Sequence, residues 1–176
     1  LFFQPWLNDG GATAFRATVT GGSATEGLFL ASGATDTAVA LQGQSAPGSG
    51  GGSYASFGDP ALSNAGSVAY KANLTGGTAG QGLFIDTAGV DTAFALQGQT
   101  APGTGGGTFN VLSNPSLNDS GSAAFKATVS GGNSASGIFV FVPGSMAIYA
   151  VALAGQAAPG LGGVTYSSFS DPSLNE

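Results

Sequence analysis

The chain has 176 residues, 42% of them hydrophobic, with 32 glycines, 8 prolines, only 7% charged residues and a net charge of −6. It has neither cysteine nor histidine, which excludes a disulfide framework, a thiolate metal centre and an imidazole base or pH switch. Three basic residues against nine acidic ones rule out the clustered phosphate contacts of a nucleic-acid binder and disfavour an anionic membrane surface.

The apolar content suffices for a core. Glycine and proline at this density describe short strands and tight turns, and no window keeps a helical three-to-four spacing beyond two turns. Leu1-Phe2-Phe3-Gln4 opens the chain at the repeat position of Ser168-Phe169-Ser170-Asp171, so residues 1–4 read as the end of a preceding repeat. Starting and stopping at one phase is expected of a segment of something longer, or of a chain trimmed after export. From Pro5 the sequence reads PWLNDGGATAF, which returns as PALSNAGSVAY at Pro60, PSLNDSGSAAF at Pro115 and PSLNE at Pro172, the prolines being 55, 55 and 57 residues apart. Such a period predicts one supersecondary unit built three times, over residues 5–59, 60–114 and 115–171, with 172–176 starting a further copy.

Each repeat reads as four strands. The first, Ala12 to Val19, alternates so that Phe15, Ala17 and Val19 face one way and Arg16 and Thr18 the other; Tyr70, Ala72, Leu74 and Phe125, Ala127, Val129 repeat it. The second runs from Gly27 to Ala31, Gly82 to Asp86 and Gly137 to Phe141. The third runs from Thr37 to Gln42, Thr92 to Gln97 and Tyr149 to Ala154. The fourth covers Ser53 to Phe57, Thr108 to Leu112 and Thr165 to Phe169. Gly-Gly turns at 21, 76 and 131 separate the first two strands, and APG plus polyglycine segments the last two. About two extra residues, in VPGSMA, break the register of the third repeat, as a surface turn tolerates. Gly137 to Gly155 is uncharged and largely apolar, but Pro143-Gly144-Ser145 divides it and both halves align with strands of the earlier repeats, so it is not read as a membrane span.

Four antiparallel strands per unit are the dimensions of a β-propeller blade, whereas closed propellers need at least about four blades. The expected fold is therefore all-β, three tandem four-stranded antiparallel repeats resembling propeller blades, with an open end-to-end stack of small sheets as the alternative. Sheets of this kind are completed by another copy or by further sequence.

Several positions are candidates for chemistry. The three basic residues of the chain, Arg16, Lys71 and Lys126, share one repeat position. An array of them suits an anionic sugar or ion pairs with Asp59, Asp171 or another carboxylate of a neighbouring repeat; the plainer reading is a solvated strand residue that discourages edge aggregation. Asn8, Gly11, Gly66, Asn118 and Gly121 form the structural turn motif, the Asn bonding its own backbone and the Gly taking left-handed geometry. Asp9, Asp119 and Glu176 follow the motif Asn, and Asp36 and Asp91 precede the third strand. Carboxylates in turns can hold calcium, but no D-x-D-x-D spacing supports it, so no cofactor is assigned and turn capping is preferred. Asn73-Leu74-Thr75 and Asn118-Asp119-Ser120 match the N-glycosylation pattern, the latter inside the structural motif. Tyr54, Phe109 and Tyr166 recur in the fourth strand and read as core rather than as a sugar platform.

NDGGATAF at Asn8 to Phe15, NDSGSAAF at Asn118 to Phe125 and SNAGSVAY at Ser63 to Tyr70 resemble the NxxGxxAF tandem repeat of bacterial secreted and surface-anchored proteins. In that family a GIF or GLF strand and a G-D-x-A-P-G turn follow. The resemblance spans essentially the whole chain, with Ser63 in place of the motif Asn and Gln44, Gln99 and Gln156 in place of the turn Asp. It implies a secreted location and a repeat fold, but no activity. The expected function is accordingly a non-enzymatic extracellular structural protein that self-assembles head-to-tail with copies of itself by β-sheet completion, as a surface layer, matrix or filament. The alternative is a propeller-like binding module for glycans or a protein partner. An enzyme using a carboxylate pair ranks third, because no residue stands out for it and a serine nucleophile lacks its histidine.

Overall fold

The computed structural model describes residues 4–175, and all of its regular structure is antiparallel β. Leu1 to Phe3 and Glu176, which carry two of the expectations above, lie outside the described residues. The first sheet runs in chain order through β1 (Trp6–Leu7), β2 (Thr13–Thr18), β3 (Glu26–Ser32) and β4 (Thr35–Leu41). The second contains β5 (Ser53–Phe57), β6 (Ala61–Leu62), β7 (Val68–Thr75), β8 (Gln81–Thr87) and β9 (Val90–Leu96), ordered β5-β7-β8-β9 with β6 also on the edge of β7. The third repeats it with β10 (Thr108–Leu112), β11 (Ser116–Leu117), β12 (Ala123–Ser130), β13 (Ser136–Val142) and β14 (Ala147–Leu153). No sheet closes on itself. The three succeed one another as a stack of small open sheets, the arrangement anticipated as the alternative. No helix among the described residues is long and apolar enough to cross a membrane.

The fourth strand of a sequence repeat does not join its own sheet. After β4 and β9 the APG-glycine segment carries the chain across, and β5 and β10 become edge strands of the next sheet, paired with β7 and β12. The segment 165–169 departs from the strand expected there: only Thr165 is bridged, to Ala157, because the sheet it belongs to by phase has no further strands among the described residues. Three short strands, β1, β6 and β11, go beyond the four expected per repeat; they are the first arm of a tight hairpin made by the Asn-Gly motif.

Alternation along each strand gives every sheet two apolar faces, and stacking buries those that face a neighbouring sheet in two layers. One core lies between the first and second sheets, where Leu28 and Ala40 meet Tyr54, Phe57, Tyr70 and Phe84. The other lies between the second and third, where Leu83, Ile85 and Phe94 meet Phe109, Phe125, Phe139 and Phe141. In each layer a ring from the edge strand completes an aromatic cluster. Tyr54 sits edge-on to Phe84 at 5.1 Å, and Phe109 edge-on to Phe139 at 5.0 Å. Such pairs contribute about 0.5–1.5 kcal/mol each beyond area burial.

Candidate functional site

The same contacts join each repeat to the next, and they define what an unoccupied repeat end offers. The edge strand registers first: Ser53 opposes Thr75 and Tyr54 opposes Leu74, as Thr108 opposes Ser130 and Phe109 opposes Val129. A Gly-Gly turn then docks on the preceding APG loop, Thr78 N–H donating to Ser49 C=O at 2.9 Å and Asn133 N–H to Thr104 C=O at 2.7 Å. A Cβ on Gly77 or Gly132 would collide with those carbonyls, at 2.3 and 2.2 Å, so a side chain at either position would prevent docking. Finally, the first residue of the second strand accepts from the edge strand of the next sheet. Glu26 Oε1 takes the N–H of Phe57 at 2.7 Å, and Gln81 Oε1 that of Leu112 at 3.0 Å.

The motif turns add a ladder. Asn8 Oδ1 accepts from Ala12 N–H at 2.8 Å, Ser63 Oγ from Ser67 N–H at 3.1 Å and Asn118 Oδ1 from Ser122 N–H at 2.9 Å, which closes each turn. Gly11, Gly66 and Gly121 all have φ between 77° and 85°, the left-handed region that the turn requires. Between turns, Asn64 Nδ2 donates to Asp9 Oδ2 at 3.0 Å, its Oδ1 accepts from Asp9 N–H at 2.8 Å, and its own N–H donates to Asp119 Oδ1. The Asp-Asn-Asp order puts a neutral amide between two carboxylates. Among the described residues no three carboxylates converge as metal ligands would.

The basic residues sit where the sequence placed them, with differing partners. Lys126 pairs with Asp171 at 2.9 Å, while Arg16 pairs with Glu26 at 2.8 Å in its own sheet and not with Asp59. At the repeat position of Asp171 the second repeat has Asn114, and Lys71 has no ion-pair partner among the described residues. Burial pushes the Lys71 ammonium below its ordinary value.

At the two ends of the stack the repeat contacts have no partner among the described residues. Just beyond β2 the residues corresponding to Leu74 and Thr75 are Val19 and Thr20, and no described strand lies opposite them. In the turn that follows, a Cβ added to Gly21 or Gly22 would meet nothing within 4 Å, in contrast to the docked turns at Gly77 and Gly132. Phe15 and Phe29 stack at 5.7 Å on the outward face of the first sheet, half-buried, with no third ring over them among the described residues, whereas Tyr70–Phe84 and Phe125–Phe139 each have one. On the outward face of the third sheet, Tyr149 and Val151 are 51% and 60% exposed.

Two further clusters gather polar groups. Tyr70 Oη donates to Asp91 Oδ1 at 2.7 Å and lies 3.0 Å from Tyr54 Oη, which in turn is 3.3 Å from Asp91 Oδ2. Asp86 opposes Asp91 directly across β8 and β9. Burial pushes both carboxyls upward, and it pushes both tyrosine hydroxyls well above the usual phenol range. Sequence reasoning misses this network. Its signal is the departure from the repeat: Asp86 replaces Ala31 and Phe141, and Tyr70 replaces Phe15 and Phe125. The second cluster is a groove of about 270 Å³ beside the short strands, where Trp6, 46% exposed, lies with Asp9, Asn64, Ser116 and Ser173.

Compared with known proteins, residues 1–81 and 75–176 each match one family, described as Family of unknown function (DUF7453). The chain belongs to this family. No curated protein and no solved structure matches it. The two family matches overlap only over residues 75–81, the last residue of β7, the turn after it and the first residue of β8.

Proposed function

We propose that this chain is a non-enzymatic extracellular structural protein that self-assembles head-to-tail by completing its β-sheets. The supporting observation is that the stack ends on the two surfaces that pack against each other inside it. The outward face of the first sheet carries Phe15 and Phe29, the counterparts of Phe125 and Phe139. The outward face of the third carries Ile138, Val140 and Val151, the counterparts of Leu83, Ile85 and Phe94. A contact between two such unlike surfaces repeats indefinitely or closes into a ring, according to the rotation per step. The extracellular setting rests on the resemblance to secreted NxxGxxAF repeats and agrees with a chain free of cysteine, in which assembly is non-covalent. Multi-angle light scattering and negative-stain microscopy of the purified chain test the reading. Concentration-dependent oligomers with a repeat along their length are expected; a monodisperse monomer at every concentration rejects it.

A second reading, a glycan-binding module, draws on the Trp6 groove, where an exposed indole lies beside carboxylate, amide and hydroxyl groups suited to a sugar ring and its hydroxyls. Trp6 is the sole tryptophan, so titration with oligosaccharides followed by its fluorescence separates the two readings.

A further inference from the structure

We infer that residues 165–166 of one copy are a preformed edge strand that docks on Val19 and Thr20 of the next, with the Tyr166 ring capping the Phe15–Phe29 stack. This inference rests on the head-to-tail reading and specifies its contact.

The segment already has the conformation of the edge strands inside the stack. Gly43 N–H donates to Tyr54 C=O at 2.8 Å, Gly98 N–H to Phe109 C=O at 2.8 Å and Gly155 N–H to Tyr166 C=O at 2.9 Å. The return bonds agree equally well: Tyr54 N–H to Gln44 C=O at 2.9 Å, Phe109 N–H to Gln99 C=O at 2.9 Å, Tyr166 N–H to Gln156 C=O at 3.0 Å. The isolated bridges Ser45↔Ser53, Thr100↔Thr108 and Ala157↔Thr165 are the same bridge three times. The Tyr166 and Phe169 rings lie 5.5 Å apart at 47°, against 5.3 Å at 49° for Tyr54 and Phe57. Thus Tyr166 is held as Tyr54 is, but without the pair of stacked rings that Tyr54 covers. An element held in its bound shape loses little entropy on docking, which favours association.

The complementary pair of rings is on the first sheet. Counting back one repeat from Tyr54–Leu74 and Ser53–Thr75, the positions opposite an incoming edge strand are Val19 and Thr20. The internal contacts also predict a hydrogen bond from Ser23 N–H to Leu161 C=O of the neighbouring copy, the counterparts of Thr78 with Ser49 and Asn133 with Thr104. Pairing along a free edge in this way is ordinary β-augmentation, here with a second copy of the chain as the added strand.

The chain has no native cysteine, so engineered pairs report the register without background. Thr20→Cys and Thr165→Cys are made as separate proteins, both at exposed positions, mixed and oxidised; a disulfide-linked dimer is expected because directly opposed residues meet the distance a disulfide requires. Thr165→Cys mixed with Ser32→Cys, exposed at the far end of β3, is expected to give none. Tyr166→Ala is expected to weaken association about tenfold, in line with loss of an aromatic anchor, and Tyr166→Phe to retain it, since Phe109 fills this slot in the third sheet. Oligomers by light scattering without the matched disulfide overturn this docking but leave self-assembly standing. Absence of both overturns the two together. A Thr20→Cys/Thr165→Cys double variant that cross-links only within single molecules shows that a copy closes on itself and also rejects the proposal.

Discussion

Asp86 and Asp91 show what a departure from the repeat does to a single site. At the same positions the neighbouring repeats place Ala31 and Asp36, or Phe141 and Ile148, so only the second repeat buries two facing carboxyls beneath two tyrosines. Burial is the largest cause in each case and lifts both carboxyls above the ordinary 3.8. The folded chain therefore keeps these protons at pH values where the unfolded chain has released them. Their stabilising contribution is complete below pH 3.8 and is lost as pH rises through the folded values. Asp86→Asn keeps an acceptor for Gly89 N–H, removes one of the two facing charges and is expected to raise the melting temperature at pH 7 by roughly 2–4 °C, the size of a ~1 kcal/mol effect in a chain this long. The gain should vanish near pH 3. Thermal melts of both proteins across pH 3–8 check this, and a constant difference would show that the charge is not responsible.

At the scale of elements, the recurring Gly-Leu-Phe and Ala-Leu phrases are one device. Gly27, Gly82 and Gly137 lie opposite Leu41, Leu96 and Leu153, and a Cβ on any of the three glycines would stand 2.6 Å from the leucine Cδ2. The glycine thus makes room for the leucine to fold across the strand onto the phenylalanine two residues further on. Gly82→Ala should cost about 1–3 kcal/mol through overpacking, and more than Gly27→Ala, because β8 is covered on both faces. Combining it with Leu96→Ala should cost less than the two single changes added, by about 0.5–3 kcal/mol, since both act on one contact. Urea unfolding of the two single variants and the double variant measures that coupling. The Gly-Gly turns follow a related logic between sheets, with a carbonyl in place of a leucine.

Across the whole molecule, burial is uneven. Among the described residues the second sheet is covered on both faces, while the first and third each have one apolar face that no other sheet covers. Any ligand that binds only the folded form raises its melting temperature with concentration, and a second copy is such a ligand. If the end faces meet, the melting temperature should climb steadily over a hundredfold range of protein concentration, and Tyr166→Ala should flatten that climb. Calorimetry at several concentrations tests it directly, and an unchanging midpoint for the parent chain would count against assembly.

The sequence by itself determined the all-β class, the period, the position of nearly every long strand and the Asn-Gly turns, because these follow from local rules: alternation, glycine's left-handed freedom and the spacing of like phrases. It also placed Arg16, Lys71 and Lys126 at one repeat position. Only the tertiary structure decided that each fourth strand crosses to the next sheet, that Arg16 turns to Glu26 and not to Asp59, that Asn64 bridges Asp9 and Asp119, and that Tyr54, Tyr70, Asp86 and Asp91 share one buried cluster. The reason is physical. Strand formation depends on neighbours along the chain, whereas the partner across a sheet, and the charge or ring that ends up buried against it, depends on where a crossover of several glycines delivers the backbone.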